Sequence, residues 1–203
     1  SRMLQILPSV LLVGVTGALA MNNTKKNDDI DFFIVVYPGT LWISRLFVTI
    51  LVELFGRRRR PNEINPANKV CLNMYVTCSA LAIPTKERDL FTAHEVLQMV
   101  PLWDRDTTYQ QFLQANSWVK KYLPNAWKEK CRMANEECRM KKKMKKKNSF
   151  GTCPSGRRVW HLAFCILEPF ARAFQLWYMQ KRRSTEVVSD TIIRFHPRDA
   201  RNW

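Results

Sequence analysis

Asp29 and Asp31 stand two residues apart at the entry to an apolar run, Phe32 to Val36. In a strand, residues at i and i+2 point to the same face, roughly 6.5–7 Å apart along the backbone. Two carboxylates so placed can converge on one divalent ion, or on a pair of ions about 3.5–4 Å apart. Side by side at a strand end they repel each other, and a cation is the usual reason to tolerate that. Upstream, Gly17 closes another apolar run, and eleven residues separate it from Asp29. Glycine permits a sharp exit from a strand. Asp28 reads as a solvated loop charge.

These residues need elements to hold them. The run 10–16 has no polar residue before Thr16 and reads as a buried strand. Residues 29–37 form the second strand, which Pro38-Gly39 ends as a turn. Thr40 is the expected N-cap of a helix reaching Phe55, with Gly56 just past its end. Residues 69–76 give the third strand, with Val70, Leu72, Met74 and Val76 on one face and Cys71, Asn73 and Tyr75 on the other. Residues 81–83 add a short edge strand. Thr92 and Glu95 have capping-box spacing for a helix over 92–99. His94, in the first turn of that helix, reads as exposed or structurally bonded rather than as a base.

Beyond it, 106–115 and 116–122 read as helical, and Trp103, Trp118 and Trp127 as packing residues. Residues 128–147 hold ten Lys/Arg against three Asp/Glu, and the lysine-rich end, 141–147, reads as an exposed basic arm open to RNA or other nucleic acid. A breaker-rich linker, 148–156, leads to a long apolar helix over 159–179, bent at Pro169. A short strand over 191–195 and a polar tail, 196–203, with His196, Arg198 and Asp199, complete the chain. Apolar runs of strand length alternating with helical periods predict an α+β fold. Its small mixed sheet carries packed helices and is followed by a mostly helical C-terminal part.

The 203 residues are 46% apolar and 11% aromatic, which excludes a disordered chain. A formal net charge of +16 suits a polyanionic partner, nucleic acid or a triphosphate, or serves solubility alone. Arg57 to Arg60 either sit solvated at the negative end of the preceding helix or bind phosphate. Six cysteines occur without CxxC or zinc spacing, so reduced thiols in a cytoplasmic protein are expected. Cys71 and Cys165 read as small core residues. Two segments imitate membrane signals. The run 3–21 is broken by Pro8 and Gly14, and cleavage after Ala20 would remove the glycine turn. The run 41–55 is only about 15 residues long, against the roughly 20 a span needs, and contains Arg45 and Glu53. No membrane insertion is expected.

The stretch GALAMNNTKKNDDIDFFIVV resembles the signature of the polymerase-beta-like nucleotidyltransferase superfamily, in which a Gly-Ser or Gly-Gly turn precedes Asp-x-Asp at a strand. TGALAMNN, DDIDFFIV, RRRRP, ERDLFTAHEVLQM, NSWVKKYLP and FHPRD are similar to a bacterial group of nucleotidyltransferase-domain proteins. The resemblance implies a core over 1–84, a helical region over 85–203 with the basic segment 128–147, and further sequence, a small helical domain, before Ser1. It implies transfer of a nucleoside monophosphate from an NTP to a hydroxyl acceptor. Gly17 and Ala18 would contact the triphosphate, and Asp29 and Asp31 would hold two Mg2+ ions.

Two departures from that pattern matter. Ala18 stands where serine is usual, and Asn73 is the best-placed residue for a third carboxylate. A neutral amide is no base and a weaker magnesium ligand. Glu53, Asp89 and Glu95 are the alternative acids. The competing reading is a catalytically impaired module of the same fold that binds nucleotide, RNA or a protein partner. A third reading attaches the chain to a membrane surface through its basic arm and the run 41–55.

Overall fold

The computed structural model describes residues 2–60, 66–147, 155–180 and 187–194. Of the expected linker over 148–156, residues 148–154 lie outside them and 155–156 begin the last helix; the tail over 196–203 also lies outside them. The architecture is α+β. One mixed sheet has β1 (Val10–Thr16), β2 (Ile30–Val36), β3 (Val70–Thr77), β4 (Val100–Asp104), β5 (Val187–Val188) and β6 (Ile192–Arg194), in the order β4-β1-β2-β3-β6-β5. Among the described strands only β2 and β3 run parallel. They are joined by α2 (Leu41–Leu54), as a parallel pair requires a crossover. β4, from the middle of the chain, and β5 and β6, from its C-terminal part, complete the sheet around β1, β2 and β3, and the short strand expected over 191–195 is β6.

Alternation along β2 divides the core. Phe32, Ile34 and Val36 face α2 and α6 (Ser155–Met179), with Trp42, Val48, Tyr75 and Phe164. Phe33 and Val35 face the other side, with Val96, Tyr109, Phe112 and Leu113 from α3 (Leu90–Gln98) and α4 (Thr108–Ala115). The helix α5 (Pro124–Lys147) contributes Ala134 to this second layer.

Several local expectations change. The side chain of Thr40 does not cap α2; its hydroxyl donates to Tyr37 O. The free N–H groups of Trp42 and Ile43 instead donate to the two carboxylate oxygens of Glu168, at 2.8 and 2.9 Å. The acid of one helix thus caps the positive end of another. At the far end Gly56 (φ +61°) closes the helix, with Gly56 N–H bonded to Glu53 O and Arg57 N–H to Val52 O, a Schellman arrangement.

Helix α3 starts earlier than its capping-box spacing predicts. Asp89 is the cap, accepting from Thr92 N at 2.7 Å and from the Thr92 hydroxyl at 2.8 Å. Residues 81–83 do not form an edge strand. Fully buried Asn116 accepts from Ile83 N–H and donates to Leu81 O, so a side chain satisfies the backbone that a sheet would have paired. The edge beside β1 belongs to β4, where Pro101 is tolerated because an edge strand needs fewer donors. In β3 the simple alternation also breaks. The register passes from Asp31↔Cys71 to Phe33↔Met74, a bulge that turns Val70 and Leu72 toward the layer of Tyr75, opposite Met74 and Val76.

Candidate functional site

The end of β1 and the starts of β2 and β3 meet at one end of the central strands. Thr16 pairs with Asp31, and Asp31 pairs with Cys71. Gly17 leaves β1 with φ +68°, a left-handed conformation that side chains rarely adopt. A Cβ on Gly17 would overlap Asp31 Oδ2, so the glycine turn and the second aspartate are in direct apposition. The short helix α1 (Gly17–Ala20) follows, its turn closed by Met21 N–H on Gly17 O and Ala18 O and by Asn23 N–H on Ala18 O. Ala18 is half-buried in that turn. Asp28 closes the next loop by accepting from Lys25 N–H at 2.7 Å.

Asp29, Asp31 and Cys71 each offer one ligand atom, and these atoms all lie within 4.8 Å of one another. Cys71, expected from its apolar surroundings in sequence to be a small core residue, is instead half-buried beside the two aspartates. Strand parity puts it on the aspartates' face of the sheet. Burial pushes its thiol up to about 12, and the charges of Asp31 and Asp29 add to that, so the thiol is neutral at physiological pH. Asn73 lies past the bulge and is 5% exposed.

Arg59 donates to Asp29 Oδ2 at 2.6 Å. Its position comes from the backbone. Val70 N–H donates to Arg57 O and Arg59 N–H donates to Val70 O, so the arginine run lies along the start of β3. Arg58 and Arg60 both reach Glu53, and the hydrogen bond from Arg60 holds the Glu53 carboxyl below its usual range against the opposing effect of burial. Two of the four arginines are therefore used locally and a third is at the site. Of the alternative acids, Glu53 is held by arginines and Asp89 caps α3, on the opposite layer from α2. His94 is exposed on α3. For the basic segment, the helical backbone of α5 is described through Lys147, whereas the side chains of 137–147 lie outside the description. No helix among the described residues is long and apolar enough to cross a membrane.

Sequence reasoning missed Cys71 and Arg59. The first was detectable by counting: Cys71 is the second residue of β3 as Asp31 is of β2, and the two strands run parallel. The second depends on a bridge between a loop and β3 that no local pattern encodes.

Comparison with known proteins adds little. No protein-family model and no curated protein matches the chain. One solved structure, described as the crystal structure of a toxin-antitoxin with AMP-PNP, superposes on 68% of this chain and 94% of its own, at 13% identity and a TM-score of 0.33. A likeness that loose carries no argument about this molecule.

Proposed function

We propose that the chain is a metal-dependent nucleotidyltransferase that moves a nucleoside monophosphate from an NTP to a hydroxyl acceptor. The observation that carries this reading is the apposition of Gly17 and Asp31, which brings a glycine turn to the head of β2, where Asp29 immediately precedes the strand and Asp31 lies within it. Donor chemistry supports a divalent cation there, since two carboxylates and a sulfur share a space within 4.8 Å. Bound cations would supply Lewis-acid activation of the acceptor oxygen and charge neutralisation at the triphosphate.

The chain's own residues do the remaining work. Asp29 and Asp31 would hold the cation, and the turn at Gly17 and Ala18 would let the triphosphate approach backbone without a side chain between. Arg59, beside Asp29, is placed to offset phosphate charge. A backbone-fixed arginine is preorganised for that role, so its cost of ordering is already met in the fold.

The second reading, a binding module with an impaired site, is favoured by the third position. Cys71, a thiol rather than a third carboxylate, stands there beside the aspartates. Calorimetric titration of NTP with and without Mg2+ or Mn2+, on the native chain and on Asp31→Ala, tests both. Metal-dependent binding that weakens about tenfold or more in Asp31→Ala supports the site. Pyrophosphate release on adding acceptors separates the enzyme from the module. Absence of metal-dependent binding in the native chain rejects the transferase and leaves the module, with RNA or a protein as its partner. RNA binding through 141–147 is a separate proposal, tested by replacing those lysines with Gln and measuring the salt slope of binding.

A further inference from the structure

The identity of the cation can be argued one step further, resting on the location proposed above. Magnesium is a hard ion that takes oxygen ligands in near-octahedral geometry and keeps several waters. The cluster at the head of β2 and β3 is different, because its third atom is sulfur. We propose that Asp29, Asp31 and Cys71 form a three-ligand site for a thiophilic divalent cation of the Zn2+ class, bound in preference to Mg2+.

Geometry and charge carry this. Around a tetrahedral zinc, oxygen and sulfur ligands at about 2.0–2.3 Å stand roughly 3.5 Å from one another. A set already within 4.8 Å reaches that spacing by small side-chain rotations. The ligands stand at the heads of two hydrogen-bonded parallel strands, with Asp31 and Cys71 in register, so the backbone fixes their relative placement. Three protein ligands leave a fourth position for water or substrate, as in catalytic rather than structural zinc sites.

On binding, Cys71 Sγ gives its proton to solvent as the sulfur–metal bond forms, and no electron is transferred. The site then holds three negative charges, which the dication and the Arg59 guanidinium on Asp29 balance together. Softness decides the preference. A thiolate contributes strongly to zinc-like ions and weakly to magnesium.

Cobalt(II), added to the full chain without nucleotide, is the probe. A near-ultraviolet thiolate-to-cobalt charge-transfer band is expected, saturating at one equivalent. Zn2+ should abolish it and a large excess of Mg2+ should leave it unchanged. Cys71→Ser should remove the band, whereas Cys131→Ser should keep it. Asp31→Asn should weaken cobalt binding about tenfold or more. Cys71→Asp should lose the band and gain competition by Mg2+, which keeps the test decisive if the serine variant folds poorly. As a readout on the unaltered protein, Zn2+ should protect Cys71 from alkylation, located by peptide mass. A native chain without the band, a band that survives Cys71→Ser, or displacement of cobalt by Mg2+ overturns the proposal. Because nucleotide is absent, a Cys71-dependent band with no NTP binding would leave the metal site standing and the transferase reading rejected. NTP binding with Mg2+ and no band would do the reverse.

Discussion

Arg59 donates a 2.6 Å hydrogen bond to Asp29 Oδ2, so one of the two expected metal ligands already faces a fixed cation. The arginine side chain is 43% exposed and the aspartate 16%, which places the pair at the boundary with solvent. Arg59→Gln should cost the fold about 1 kcal/mol or less, as partly exposed pairs do. It should raise the affinity of the nucleotide-free site for a divalent cation by roughly three- to tenfold, because a competing charge is gone. The same variant should weaken NTP binding if Arg59 meets phosphate. Titration of metal alone, then of NTP, separates the two effects. A fall in metal affinity would mean that Arg59 positions Asp29 rather than competes for it.

Gly17→Ala should be among the costliest small substitutions in the protein. It strains a backbone at φ +68° and drives a methyl group into Asp31 Oδ2. The strain alone is of order 1–3 kcal/mol. Urea denaturation should show that loss, and metal binding should weaken as well because Asp31 must move. At Gly56, φ +61°, an added Cβ meets nothing within 4 Å, so Gly56→Ala should destabilise without touching metal affinity. The contrast isolates the contribution of the site.

Glu168→Ala removes the group that satisfies the first turn of α2 from another helix. Loss of a cap costs about 0.5–2 kcal/mol, and here both oxygens are used. Glu168→Gln keeps one acceptor and should retain part of the stability. Chemical denaturation of the three proteins gives the ranking; equal stability of Glu168→Ala and the native chain would show that water caps the helix as well.

The arginines around Glu53 predict a pH dependence of defined sign. Its folded carboxyl titrates below the ordinary value of 4.5, through Arg60's hydrogen bond above all, so the folded state binds that proton less readily than the unfolded chain. The contribution is complete above the ordinary carboxylate range and is lost as pH falls through the lowered folded value. Glu53 is partly exposed, so the share is about 1 kcal/mol or less. Glu53→Gln should flatten the acid limb of a stability–pH curve by that share and leave neutral pH the shallower region for both proteins.

The first three strands and the helix between the second and third were legible because each buries a continuous apolar face, and burial imposes a period that a sequence carries openly. The edge strand β4 was not, since Pro101 disguises a run whose pairing depends on its neighbour, β1. Asn116 shows the same limit from the other side. Residues 81–83 have strand-like composition, but a buried amide more than thirty positions away takes their hydrogen bonds.

At the candidate site the division follows the range of the forces. Sequence alone determined that a glycine turn would close β1 and that Asp29 and Asp31 would stand two residues apart at the head of β2, because both follow from backbone geometry within a few residues. Only the tertiary structure decided that Asp31 fills the space beside Gly17, that Cys71 joins the two carboxylates, and that Arg59 bonds Asp29. Those contacts depend on the parallel register of β2 with β3, on a bulge one residue wide, and on a loop paired to Val70. Each brings together residues distant in the chain, and a shift of one position would turn every side chain of the strand to the opposite face.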